Sequence, residues 1–205
     1  MAKSKTVQTK AAEYDVLKND LAVLEAMVDG MSNYLAGDIT WWDMGRAEMP
    51  LLTIGGHLMR RRRLGTLEYL LQDTERAALS AANKTYDEIV NSQIVRFEER
   101  ALFELGSRIR EWTVYLRDLA VSKRLAADTE RYSYLADTRI VMGELVAKLS
   151  NPPFQLSGHI PTDIAALDNR MRFRWTSGAF IWSPVWIPAY PRETYWWLYG
   201  CPKVD

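Results

Sequence analysis

The chain has 205 residues, of which 48% are hydrophobic and 25% are charged, a composition typical of a globular protein. Basic and acidic residues number 26 each, so the net charge indicates no polyanionic partner. A single cysteine, Cys201, excludes an internal disulfide and is typical of a reducing compartment. Residues 1–15 lack the apolar segment of a secretory signal, and no run of about 18 apolar residues is present. We therefore expect a cytoplasmic protein without a membrane span.

The N-terminal part of the chain predicts a flexible end followed by a long helix. Residues 1–10 are polar and basic, which is typical of a frayed terminus. From about Ala11 to Leu35, apolar residues recur in alternating steps of three and four, as in a heptad seam. The seam consists of Tyr14, Leu17, Leu21, Leu24, Val28, Met31 and Leu35, and the first six are candidate interface residues. It indicates either packing inside the domain or the coiled-coil interface of a homodimer.

Two adjacent tryptophans, Trp41 and Trp42, lie in a segment between Ala36 and Pro50 that has no helical periodicity. Neighbouring side chains in a loop rarely point in the same direction. We therefore expect one ring to fill the core and the other to cap an edge or contact a ligand.

A run of four arginines, Arg60, Arg61, Arg62 and Arg63, lies in a helix predicted over residues 51–71. Successive residues on a helix are about 100° apart, so these side chains wrap the helix axis and do not form one flat face. We expect them to pair with carboxylates, above all with glutamates of the following helix. The alternative is a nucleic-acid or phosphate site in which Trp41 or Trp42 provides a stacking surface.

The stretch from residue 73 to residue 125 contains no proline, and its apolar residues recur every three or four positions. It predicts either one long helix or two helices that divide near Gly106. Asp128 is the expected N-cap of a further helix that ends near Leu149, before Pro152 and Pro153. Residues 11–149 therefore predict an all-α fold, an antiparallel bundle of four or five helices.

Residues 150–205 differ in composition and predict an extended C-terminal arm. Seven of the eight prolines and five of the eight tryptophans lie after Ser150. A short helix is expected from about Thr162 to Met171, and alternation around Ser177-Gly178 suggests a hairpin over residues 173–182. The aromatic rings must be buried, either against the bundle or on a partner. The candidate interface residues of the arm are Trp182, Trp186, Trp196 and Trp197.

No pattern of a catalytic, metal or cofactor site is present. Glu-x-x-His, the spacing of metal sites in helical bundles, is missing, because Ile54 and Leu156 stand three residues before His57 and His159. We therefore predict no catalytic residue, no metal and no cofactor. Our hypothesis is a non-enzymatic interaction or scaffold protein, a homo-oligomer or the partner of another protein, acting through the seam and the arm. The alternatives are nucleic-acid or phosphate binding, and an enzyme with a pocket near Trp41 to His57.

Overall fold

The computed structural model describes residues 2–46, 48–121 and 128–203, with side chains described from Tyr14 onward. The described residues contain six α-helices and a two-stranded antiparallel sheet, which confirms the predicted all-α class with a C-terminal arm. Within these ranges, no helix combines the length and the apolarity needed to cross a bilayer. The chain divides into two compact units, Met1–Arg100 and Ala101–Asp205.

The first unit contains α1 (Ala2–Ala36), α2 (Ile54–Thr66), α3 (Asp73–Ser92) and the start of α4 (Ile94–Leu119). α1 packs against both α2 and α3. This helix begins at Ala2, earlier than the predicted Ala11. We predicted a flexible end over residues 1–10. Residue 1 and the side chains of residues 2–10 are outside the described part of the structure, so this prediction is not tested.

Side chains that accept free backbone N–H groups fix the starts of α2 and α3. Thr53 Oγ1 accepts a hydrogen bond from the N–H of Gly56 at 3.0 Å and caps α2. Gln72 and Glu75 form a reciprocal capping box at the start of α3. Between the two helices, the 3-10 helix Glu68–Leu70 forms a corner whose three residues are all exposed.

The central stretch forms two helices, and they divide at Gln93. The N–H of Gln93 donates to the carbonyl oxygens of Ile89 and Val90 at 3.1 and 3.2 Å, and its own carbonyl accepts from the N–H of Phe97. Ser92 Oγ also donates to the carbonyl of Ile89 at 2.8 Å, a local bond that competes with continued helix. Gly106 lies inside α4, so neither of the two predicted alternatives, a single long helix or a division near Gly106, matches the structure.

The second unit contains the rest of α4, α5 (Thr129–Leu149), α6 (His159–Arg172) and the strands β1 (Trp175–Phe180) and β2 (Tyr199–Pro202). Asp128 accepts a hydrogen bond from the N–H of Arg131 at 2.9 Å, which confirms it as the N-cap of α5. Two 3-10 helices, Pro184–Ala189 and Trp196–Leu198, lie between the strands.

β1 pairs with β2 in an antiparallel ladder, and the predicted hairpin over residues 173–182 is wrong. Trp175 lies opposite Pro202 and Ser177 opposite Gly200, with an irregularity before the pair Phe180 and Tyr199. The Ser-Gly pair therefore lies within a strand. The two strands approach closely at Gly178, where a Cβ would stand 3.3 Å from the Cα of Gly200.

Candidate functional site

The predicted arginine run is held by carboxylates of the first unit. Arg60 and Arg63 both approach Asp20 of α1, at 3.3 and 3.9 Å, and the Asp20 side chain is buried. Arg61 donates two hydrogen bonds to Asp87 of α3, at 2.7 and 2.9 Å. The ion-pair partners described for these three arginines are aspartates, and one of them, Asp87, lies on the helix that follows the arginine run, where glutamate partners were expected. This engagement counts against a phosphate site at Arg60–Arg63.

Burial raises the pKa of Asp20, although the guanidiniums of Arg63 and Arg60 act in the opposite direction. The desolvated carboxylate therefore depends on both arginines, and removing either would leave charge in the interior of the unit. Arg60 and Arg63 thus have a structural role. Arg62, the remaining member of the run, is half-exposed.

None of the described hydrogen bonds or ring contacts joins Trp41 or Trp42 to Arg60–Arg63. Trp41 is 41% exposed, whereas Trp42 is half-buried and exchanges backbone hydrogen bonds with Leu52. Trp42 also lines a cavity of about 440 Å³. The described lining consists of Ala26, Asp29, Gly30, Trp42, Asp43, Met44, Gly45 and Arg46. A stacking surface shared by these tryptophans and Arg60–Arg63 stays a prediction.

His57 is fully buried and stacks on the ring of Tyr86, with 4.1 Å between centroids. It is absent from the described lining of the cavity at Trp42. Among the described residues, no group of three or more His, Cys, Asp or Glu is placed to hold a metal ion.

The heptad seam is covered inside the first unit. Six of its seven members are buried, namely Leu17, Leu21, Leu24, Val28, Met31 and Leu35, and Tyr14 is half-buried. Tyr14 donates a hydrogen bond to Glu75 of α3 at 2.6 Å. In this conformation the seam provides packing between helices of the unit, and it offers little surface to a second chain.

The aromatic arm packs on α5 within the second unit. The indole N–H of Trp182 donates to the carbonyl oxygen of Ser133 at 2.9 Å, and the hydroxyl of Tyr132 donates to the carbonyl of Trp197. Trp186 and Trp197 are buried, while Trp182 and Trp196 are half-buried. These four residues therefore form part of the core of their own unit.

Arginines anchor the arm from two helices. Arg139 of α5 donates two hydrogen bonds to Asp168 of α6, at 2.8 and 2.7 Å, and its guanidinium lies 4.2 Å from the ring centroid of Trp197. Arg172 lies 4.2 Å over the ring of Trp196. Guanidinium groups stack well on aromatic faces, so Arg139 joins α5 to the arm, and Arg172 joins α6 to Trp196 within the arm.

A different surface of the second unit combines a cavity with concentrated positive charge. The cavity has a volume of about 480 Å³ and lies between the last turns of α4 and α6. We call it the arginine pocket. Its described lining consists of Thr113, Leu116, Arg117, Leu119, Ala120, Arg170, Met171, Phe173 and Arg174. The charged residues of this lining are all arginines.

The floor of the arginine pocket is apolar and its edge is open. Leu116, Leu119 and Met171 are buried, whereas Phe173 is 83% exposed. Arg170 is exposed and forms no ion pair with any described residue, while Arg117 pairs with the neighbouring Asp118 at 3.1 Å. The arrangement suits a ligand that has an apolar body and a negative group at its edge.

The arginine pocket was not predicted from the sequence, although one signal was present. Arginine alternates with apolar residues in Arg170-Met171-Arg172-Phe173-Arg174, around the end of α6. The predicted hairpin started at Phe173 and obscured this pattern. Comparison with protein-family models, curated proteins and solved structures gave no match for this chain.

Proposed function

We propose that this protein is a non-enzymatic interaction protein and that it binds a protein partner through the arginine pocket. The exposure of Phe173 beside the cavity is the observation that supports this proposal most directly. An exposed aromatic ring next to an apolar cavity is typical of interaction sites. When a partner covers the ring, apolar surface is removed from water, and this stabilises the complex.

Two residues that adjoin lining residues of the cavity in sequence are apolar and exposed. Val121, which follows the lining residue Ala120, is 86% exposed, and Val114 on the neighbouring turn of α4 is 44% exposed. A partner that covered these side chains together with Phe173 would remove three exposed apolar side chains from water. Aromatic residues and arginines are enriched at interfaces, and the arginine pocket contains both.

The arginines indicate the charge of the partner. Arg117, Arg170 and Arg174 place positive charge around an apolar floor, so a segment that joins apolar side chains to glutamate or aspartate is complementary. A lysine-rich segment would be repelled. The proposed partner is therefore an acidic amphipathic protein segment. We also propose that the protein forms a homo-oligomer and lies in the cytoplasm, as predicted from the sequence.

Isothermal titration calorimetry with two designed peptides tests this function. The first peptide is an amphipathic helix with leucine and phenylalanine on one face and glutamate on the other, and the second replaces each glutamate with lysine. We expect the acidic peptide to bind and the basic peptide not to bind. Phe173→Asp and Arg170→Glu should each weaken binding by more than about tenfold, whereas Arg46→Glu, an exposed arginine of the first unit, should not.

Sedimentation velocity of the full chain, up to about 100 µM, complements the titration because it detects self-association with a micromolar Kd. Self-association that Phe173→Asp weakens would also support an interaction function. The proposal would be overturned by a chain that stays monomeric and binds neither peptide. Equal binding of both peptides, unaffected by Arg170→Glu, would also overturn it.

A further inference from the structure

The corner of the first unit at Glu68–Leu70 has the chemistry that the arginine pocket is suited to bind. Tyr69 is 69% exposed and Leu70 is 41% exposed, so this 3-10 helix presents an aromatic and an aliphatic side chain side by side. Glu68 is also exposed and forms no ion pair with any described residue. We call this segment the Glu-Tyr-Leu corner.

We propose that the occupant of the arginine pocket is a second copy of this chain, which inserts Tyr69 and Leu70 of its Glu-Tyr-Leu corner. This inference rests on the proposed function and names the partner for the same pocket. Glu68 of the inserted corner pairs with Arg170 at the edge of the cavity. Apolar side chains and a carboxylate, the two features that the pocket requires, thus come from three consecutive residues.

Size and chemistry support the fit. A cavity of about 480 Å³ lies within the range of about 300–1,000 Å³ that accommodates drug-sized molecules, so an aromatic and an aliphatic side chain can enter it together. The ring of Tyr69 also gains from guanidinium groups beside it, because arginine stacks favourably on aromatic faces. The exposed Phe173 offers a second ring at the edge of the same cavity.

Each copy carries one Glu-Tyr-Leu corner and one arginine pocket, on separate units. Two copies related by a two-fold axis therefore make the contact twice. If the copies are related in another way and the contacts do not form a closed ring, each contact adds a further copy and a longer assembly results. Both arrangements raise the mass of the protein in solution above that of a monomer, so mass is the primary measurement.

Sedimentation velocity over a concentration series, with the full chain, tests the inserted residues. We expect self-association, and we expect Tyr69→Ala to raise the dissociation constant by more than about tenfold. Tyr134→Ala is the matched control, because Tyr134 is 77% exposed on α5 and lies outside both surfaces. An equal effect of the two substitutions would count against the inference, and circular dichroism checks that both variants are folded.

Charge reversal tests the proposed ion pair. Glu68→Arg and Arg170→Glu should each weaken self-association, and the chain that carries both substitutions should recover most of it, because the pair is re-formed with opposite polarity. A merely structural effect would not be reversed by the second substitution. Failure of the double variant to recover association would overturn the inference.

The two proposals fail in different ways. A chain that binds the acidic peptide through the arginine pocket yet stays monomeric would overturn the second copy as occupant, and the interaction function would stand. A monomeric chain that binds no peptide would overturn both. Self-association that Tyr69→Ala and Arg170→Glu leave unchanged would assign the interface to another surface and would also overturn this inference.

Discussion

Two stacked tyrosines in the second unit differ in one hydrogen bond. Tyr115 and Tyr132 have ring centroids 6.3 Å apart, and both side chains are buried. The Tyr132 hydroxyl donates to the carbonyl of Trp197, whereas the Tyr115 hydroxyl has no hydrogen-bond partner among the described residues. Burial raises the pKa of both groups, so both are protonated at neutral pH.

Phenylalanine substitutions at these two positions should therefore have different effects. Tyr132→Phe leaves the buried carbonyl of Trp197 without its donor and should lower the free energy of unfolding by about 1–3 kcal/mol. Tyr115→Phe removes a hydroxyl that is buried without a hydrogen-bond partner. It should therefore either raise the free energy of unfolding or change it by less than about 1 kcal/mol. Urea denaturation measures both. Equal losses would contradict the assignment of the hydrogen bonds.

The hydrogen bond from Tyr14 to Glu75 joins α1 to α3 and predicts a pH window of stability. It raises the pKa of Tyr14 from 10.0 to about 12, so this contribution is complete below pH 10 and is lost as the pH rises towards 12. Burial raises the pKa of Glu75, but the hydrogen bonds from Tyr14 and from Gln72 lower it on balance below 4.5. That contribution is complete above pH 4.5 and is lost at lower pH.

Tyr14→Phe should remove the stabilisation inside this window and flatten the pH dependence at both ends. Thermal melts over a pH series, from acid to alkaline, measure the effect as the difference in Tm between wild type and variant. Tyr134→Phe is the control, because Tyr134 is exposed and makes no hydrogen bond with any described residue. A constant difference in Tm at every pH would contradict the role of the pair.

At the scale of elements, signals that act within a few residues predicted the helices well. Asp128 is the N-cap of α5, and the break before Pro152 follows from the missing N–H of proline. The division at Gln93 was not predicted, because the residue is compatible with a helix and the adjacent Ser92 competes only weakly with the backbone. The pairing of β1 with β2 was also missed. Its partner strand lies far along the chain, and local turn signals at Ser177-Gly178 pointed to a hairpin.

Two glycines in regular elements should respond in opposite ways to substitution by alanine. Gly106 lies inside α4, where a Cβ would meet Arg110 Nη1 at an ordinary 3.6 Å, so Gly106→Ala should stabilise the chain by about 0.5–1 kcal/mol. Gly200 has φ +145°, and a Cβ there would stand 2.0 Å from the carbonyl oxygen of Thr176.

Gly200→Ala should therefore destabilise the chain by more than about 2 kcal/mol, because strained backbone and a steric clash add together. Chemical denaturation followed by circular dichroism compares the two variants with wild type. A stable Gly200→Ala variant would show that β2 can move away from β1. A destabilised Gly106→Ala variant would indicate that α4 requires a glycine for a reason other than backbone conformation.

At the scale of the whole molecule, the spacing of apolar residues in the sequence identified buried surfaces more reliably than binding surfaces. The spacing of Leu17, Leu24 and Met31 correctly indicates burial, but the same spacing fits packing within a unit and packing between chains. The arginine pocket joins residues of α4 to residues near the end of α6. Arg117 and Arg170 are distant in sequence, so only the fold shows that they line one cavity.

The contacts of the arm predict the effect of removing it. A chain truncated after Ser150 loses Asp168, the partner of Arg139, and loses the rings that pack on Tyr132. The second unit would then expose the buried side chains of α5 that contact the arm, Tyr132 and Arg139. We expect it to lose its cooperative unfolding transition, while the first unit, which is a separate compact unit, should keep one.

Tryptophan fluorescence isolates this effect. In the truncated chain that also carries Trp41→Phe and Trp42→Phe, Trp112 is the only tryptophan, and it is fully buried in the intact protein. Its emission should shift to the red and become quenchable by iodide, because the core around it opens to water. Emission that stayed blue-shifted, with a monomeric and cooperatively folded truncation, would mean that α4 and α5 form a stable core alone. Removal of the arm would then have little effect on the stability of the second unit. The buried tryptophans of the arm would again be candidates for contact with a partner.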